Sequence, residues 1–224
     1  RDTELSVLKT MLAQAQTPNA GVQRLVVIGD AGVGKSRLLH EFDAWGAAEQ
    51  EHWRPLRARA TQQTSEQPYA VLRHLMEAHL RLSVSDDMDQ VKRELEFALL
   101  SLLPASWDAD TKRMHTHWLG QLMGLDYSES AHLRGVDARQ IRDGGFRCAA
   151  QALRGGGTVG RPLVLFLEDL HWADEASLSF LEYLTRANAS VPSLILSLAR
   201  PAFLPSLDAV AAAGRVEKQA AVVA

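Results

Sequence analysis

Apolar residues along this chain follow two alternating patterns. Short runs that are apolar at nearly every position are separated by longer stretches where apolar residues return every three or four positions. RLVVIGD (24–30), PLVLFLED (162–169) and PSLILSLARP (192–201) belong to the first kind. Such short runs, bounded by Gly, Asp or Pro, predict strands buried on both faces. HWRPLRARA (52–60) predicts a further strand, and its Pro55 argues for an edge position or a late start. GRVEKQAAVVA (214–224) offers a last edge strand.

The second pattern predicts helices. Residues 4–15 put Leu5, Leu8, Met11 and Leu12 at helical spacing, and Lys35 to about Glu49 do the same with Leu38, Leu39, Phe42 and Trp45. From Gln67 to about Leu125 the pattern is helical throughout, in PYAVLRHLMEAHLRL, MDQVKRELEFALLSLL and the shorter MHTHWLGQLMGL. ARQIRDGGFRCAAQALR (138–154) predicts a helix weakened by Gly144 and Gly145. GGGTVGRP (155–162) is a connector. DEASLSFLEYLTRA (174–187) predicts a helix with Asp174 as its N-cap. Strands alternating with helices predict an α/β fold, a mainly parallel sheet between two helical layers. Residues 67–137 form a helical insertion between its second and third strands, and 1–224 read as one such domain.

Composition narrows the function classes. The 224 residues carry a net charge of −3, so no global basic field points to direct nucleic-acid binding. Cys148 is the single cysteine, which excludes an internal disulfide and a cysteine-based zinc site and suggests a reducing compartment. No apolar run reaches bilayer length, and the start RDTELSVLK lacks the apolar core of a signal peptide. The expectation is a cytoplasmic protein without membrane contact. The first residue is not Met, consistent with a piece of something longer.

The chemistry begins at the end of the first predicted strand. Gly29-Asp30-Ala31-Gly32-Val33-Gly34-Lys35-Ser36 matches G-x-x-x-x-G-K-[ST] and runs directly into the 35–49 helix. Glycines allow positive φ and close approach to phosphate oxygens. The loop amides then form an anion nest at the positive end of a helix. Lys35 would reach the β- and γ-phosphates, and the Ser36 hydroxyl would bind Mg²⁺. This is a P-loop, and the fold expectation becomes a three-layer P-loop NTPase.

A P-loop needs an acid at the end of another strand. LVLFLED supplies Glu168 and Asp169. Glu168, directly after the apolar run, suits the Mg²⁺ side, and Asp169 suits orientation or activation of the attacking water; the reverse assignment stays open. Arg200 ends the 192–201 strand, where strand C-termini line the crevice of a parallel sheet, and reads equally as a γ-phosphate contact or as a surface arginine before a proline. His171, Trp172 and Asp174 read as packing and capping after the acidic strand. His115 and His117 near Trp118 read as packed or exposed side chains, not metal ligands. The five tryptophans read as core residues, not a base-stacking platform. No G-x-S-x-G elbow supports a serine hydrolase.

These segments resemble the STAND class of signalling P-loop ATPases, a branch related to AAA+ proteins. RDTELSVL resembles its arginine–acid–x–glutamate start, GDAGVGKSRLLHEF its phosphate loop, LFLEDLHWADEASLSFLEYL its acidic strand and following helix, and SLARP its sensor strand. QPYAVLRHL and GLDYSESAHLRG…RQIRDGGFRCAAQALR are most similar to ATPase modules attached to class III adenylate or guanylate cyclases or helix-turn-helix regulators. The resemblance implies nucleotide contacts from Gly29 through Arg37, magnesium near Ser36 and Glu168 or Asp169, a sensor role for Arg200, and Arg1 to Glu4 near the adenine. It implies as partners ATP or ADP, the other domains of a parent protein, and self-association dependent on nucleotide. Family members close the site with a lid after the sensor strand, and the expectation is that neither a lid nor an effector domain lies within this chain. The expected function is an ATP-binding, Mg²⁺-dependent ATPase switch module. The alternatives are a scaffold that binds ADP or ATP without hydrolysis, a P-loop small-molecule kinase, and a fragment whose site forms only in the parent protein.

Overall fold

The structure is a computed structural model that describes residues 2–51, 53–83, 85 and 87–203, together with the backbone of 220–222. Among the described residues up to 203 there are four strands and seven α-helices. They are α1 (Asp2–Ala15), β1 (Val22–Ile28), α2 (Lys35–Glu49), β2 (Leu56–Arg59), α3 (Ala70–Leu80), α4 (Met88–Leu102), α5 (Ala109–Leu122), α6 (Ala138–Arg154), β3 (Leu163–Glu168), α7 (Glu175–Ala187) and β4 (Ser193–Ala199). A short β5 (Ala220–Val222) follows. Strand order is β2-β3-β4-β1-β5 and every pairing is parallel. The all-parallel sheet is the predicted one. β2 lies at one edge, as Pro55 suggested, and the 214–224 segment supplies the strand at the other.

The strand pleat sorts the apolar residues between two layers. Leu25, Val27, Val164, Phe166, Leu194, Leu196 and Leu198 face α1 and α2, where Leu8, Leu12, Leu38, Leu39 and Phe42 complete one core. Leu163, Leu165, Leu167 and Ile195 face the other way, into a larger core with Leu75, Leu95, Leu119, Phe146 and Phe180. Period-2 alternation within an unbroken apolar run therefore serves two cores at once. The helices between β2 and β3 share the second of these cores with the sheet. Removing Leu75, Leu95 or Leu119 would therefore open a cavity against the sheet's own core.

Gly144 and Gly145 do more than weaken α6. Both are buried, and a Cβ on Gly144 would fall inside the Trp118 indole of α5. A Cβ on Gly145 would come within 2.6 Å of Leu122. The glycines lower helix propensity and let α5 and α6 approach closely. Trp118 in turn donates its indole N–H to the His132 carbonyl at 2.8 Å.

Asp174 is the predicted N-cap of α7, accepting from Ser177 N at 2.8 Å. It also accepts from Tyr69 N at 3.0 Å and Ala70 N at 3.3 Å, the start of α3. Tyr69 makes no side-chain cap of its own, so one carboxylate caps two helices whose N-termini converge. Ser177 extends the arrangement, donating its hydroxyl to Asp174 Oδ2 and accepting from Val71 N at 3.0 Å.

Candidate functional site

Register brings the sequence-predicted residues to one end of the sheet. Leu167 and Val26 both pair with Ser197, and Ile28 pairs with Ala199. Gly29, Asp169 and Arg200 therefore leave their strands at nearly the same level. Gly29 N donates to Ala199 O at 3.3 Å, which ties the glycine loop to the end of β4. Arg59 pairs with Glu168 and ends β2 at the same edge.

The loop from Gly29 to Gly34 has the backbone its glycines allow. Gly32 has φ 84° and Gly34 φ 100°, and Gly34 is the N-cap residue of α2 without a side-chain cap. None of the backbone N–H groups from Asp30 to Arg37 finds a hydrogen-bond acceptor among the described residues. A helix start leaves such donors unsatisfied and carries positive partial charge. A concave run of them is what an anion needs. Lys35 is buried, and its ammonium donates to Gly29 O at 2.7 Å and Asp30 O at 2.8 Å. Two of its three donors are thus held by the loop itself. Ala31, Gly32, Ser36 and Arg37 are exposed, Val33 is half-buried, and Arg37 pairs with Glu41 at 2.9 Å.

The two acids behave differently, as adjacent residues at a strand end should. The Glu168 carboxylate is half-buried and makes no hydrogen bond or ion pair among the described residues, while its backbone carbonyl accepts from Ala60 N. Asp169 sits in the left-handed region at φ 55°, ψ 37°. That conformation is uncommon outside glycine and most tolerable for Asp and Asn. Asp169 Oδ2 accepts from Arg59 Nε at 2.9 Å and lies 2.9 Å from Nη2 of the same guanidinium. Arg59 was not singled out by its sequence. Its signal was position, since it ends the strand beside β3 at the level of the acids.

His171, expected to pack in the turn after β3, carries one feature that expectation did not include. Its ring lies 5.2 Å from that of Trp172, but both ring nitrogens are buried without a hydrogen-bond partner among the described residues. Burial holds its pKa below the ordinary value; Arg200 and Lys35 push the same way and Asp169 opposes them. Lys35, Asp169, His171 and Arg200 therefore share one electrostatic neighbourhood. Buried, unpaired ring nitrogens call for an explanation. A ligand or water at this end of the sheet would supply one. Arg200 itself is exposed, and its carbonyl accepts from Phe203 N at 2.9 Å.

The oxygen donors here suit a hard cation bound together with phosphates. Mg²⁺ typically takes one or two carboxylates and fills the rest of its shell with water and phosphate oxygens. Ser36, Glu168 and Asp169 fit that pattern. Among the described residues no group of three or more His, Cys, Asp and Glu could hold a metal unaided. His115, expected to be packed or exposed, is packed: its ring centroid lies 4.4 Å from Trp107 and 5.2 Å from Trp118. Arg1 lies outside the described residues. Asp2 and Glu4 form the first turn of α1, and that helix ends near the strand N-termini, so its start lies toward the loop's end of the sheet.

No described helix is long and apolar enough to cross a membrane. Among curated proteins, none matches the chain. The family described as AAA ATPase domain matches residues 1–197. A parallel sheet with helices on both faces, a glycine loop opening α2 and acids ending β3 are what that match leads one to expect, and the chain belongs to the AAA ATPase domain family.

Proposed function

We propose that this chain is an ATP-binding, Mg²⁺-dependent ATPase module that acts as a switch within a larger signalling protein of the STAND class. One observation carries the reading: the unsatisfied amides of Asp30 to Arg37 surround a buried lysine at the same sheet end as two acids and an arginine. Polyphosphate is the chemistry that such a cradle recognises.

Each residue then has a task. Gly29, Asp30, Ala31, Gly32, Val33, Gly34, Lys35, Ser36 and Arg37 hold the phosphates, mainly through backbone amides. Lys35 exchanges a loop carbonyl for phosphate oxygens. Ser36 and Glu168 hold the magnesium side, with Asp169 close by. When bound, the metal neutralises charge on the phosphate oxygens. Asp169 orients the water that attacks the γ-phosphate. Arg200 stabilises charge on the transferred group, and His171 offers a ring nitrogen to the water or the phosphate. The work is positioning and charge stabilisation, without a covalent intermediate. Cyclase or helix-turn-helix output domains and nucleotide-dependent self-association are the proposed partners, with cytoplasmic localisation.

Phosphate release from ATP–Mg²⁺, measured beside nucleotide binding, tests the reading. Lys35→Ala is expected to lose binding, and Asp169→Ala to bind but release little phosphate. Native chain that binds nucleotide yet releases no more phosphate than Asp169→Ala would overturn hydrolysis. It would leave the non-hydrolysing scaffold, which the Arg59 grip on Asp169 favours. Phosphate passing to an added acceptor instead of water would make the chain a kinase.

A further inference from the structure

A cleft of about 520 Å³ lies at the opposite end of the sheet, where β2 and β3 begin. Its volume is in the range of small-molecule sites. Leu56 and Leu163, the first residues of those strands, and Trp53 give it an apolar floor. Three arginines from separate segments line it: Arg54 after α2, Arg81 at the end of α3, and Arg161 in the connector before β3. All three are exposed. Against them stands one acidic residue, Glu51.

Arginine beside helix ends has an ordinary explanation, as counter-charge for the last carbonyls. α1, α2 and α3 all end near this cleft. Counter-charges of that kind hydrogen-bond the terminal carbonyls. Among the described residues, none of the three guanidinium groups makes a hydrogen bond or an ion pair. Three arginines that line one concavity without a partner among the described residues are suited to bidentate recognition of oxyanions. The apolar floor accommodates the ligand's carbon frame.

We propose that this cleft is a second binding site, for a small molecule bearing several phosphate or carboxylate groups. It is separate from the phosphate loop. α2 starts at that loop and ends at the cleft, and 15 residues of helix span roughly 22 Å. The proposal does not depend on the chain being an ATPase.

Isothermal titration of inorganic pyrophosphate, and separately of citrate, at low ionic strength tests it. Lys35→Ala removes the loop's own claim on pyrophosphate. That variant is expected to keep one site for at least one anion. Adding Arg54→Gln, Arg81→Gln and Arg161→Gln should weaken the site about tenfold or more, since each charge-assisted hydrogen bond is worth roughly that factor. In the otherwise native chain the same three changes should remove one of two pyrophosphate sites and spare the other. Binding of pyrophosphate alone identifies phosphate as the preferred group, citrate alone identifies carboxylate, and both identify a general oxyanion site. No site remaining in Lys35→Ala, or a site indifferent to the three arginines, overturns the proposal. The arginines are exposed, so circular dichroism and melting should match the parent, and a single Arg→Gln change gives the same reading if the triple does not.

Discussion

Replacing Asp174 with alanine should destabilise the protein far more than the loss of an ordinary helix cap. Oδ1 accepts from Ser177 N and Tyr69 N, and Oδ2 from Ala70 N and the Ser177 hydroxyl. Losing the cap of α7 costs about 1 kcal/mol. Leaving the amides of Tyr69 and Ala70 without an acceptor costs about 1 kcal/mol each, because Asp174 is the acceptor for both and the Ser177 hydroxyl reaches only Val71 N. The expected loss is therefore about 3 kcal/mol, which lowers the melting temperature by roughly 6–12 °C for a chain of this size. Asp174→Asn keeps one carbonyl oxygen, so it should retain about half of the effect. Urea and thermal melts measure the loss. Amide exchange gives a local readout: protection should fall in the first turn of α3, 105 residues away in sequence. The reasoning fails if Asp174→Ala lies within about 0.5 kcal/mol of the parent, the range of ordinary surface changes, or if Asn is as damaging as Ala.

Gly144→Ala should destabilise by about 1–3 kcal/mol through overpacking against Trp118, whereas Gly155→Ala, with open space around its Cβ, should be neutral or slightly stabilising in the same melts. Arg59→Gln removes an exposed ion pair and should change stability by no more than about 1 kcal/mol. It should nevertheless raise phosphate release at saturating ATP–Mg²⁺ by freeing Asp169, and an unchanged rate would refute that role. His79, His115 and His117 are each held below the ordinary histidine pKa, chiefly by burial. At acid pH the unfolded chain then binds more protons than the folded one, so stability should be full above about pH 6.5 and fall below it. Urea melts at pH 7.5 and 5.5 check the sign. His79→Gln, which can still donate to Ala152 O, should reduce the slope.

Much of the fold could be read from local pattern. The apolar runs of β1, β3 and β4 are short and bounded by Gly, Asp or Pro, so strand identity followed from composition over a few residues. The Asp174 cap was legible for the same reason, because an acceptor just before a helical period has one local use. The glycine loop was legible because phosphate binding by backbone amides requires residue types at fixed spacing within a single turn. Gly144 and Gly145 were read only as weak points of α6, since propensity records the helix and not what packs on it. Trp118, 26 positions earlier, explains why a side chain there would not fit.

The remaining features arise from register and convergence between distant segments. Arg59 reaches Asp169 because β2 and β3 pair in parallel, at a separation of 110 residues. Asp174 caps α3 as well as α7 because the two helix starts meet in space. The buried, unpaired nitrogens of His171 depend on which side chains close around the turn after β3. The arginine-lined cleft draws on three segments that share no local pattern. The sequence by itself determined the strands, the helices, the phosphate loop and the acids. The tertiary structure alone decided which charges face one another, because those distances are set by sheet register and helix packing.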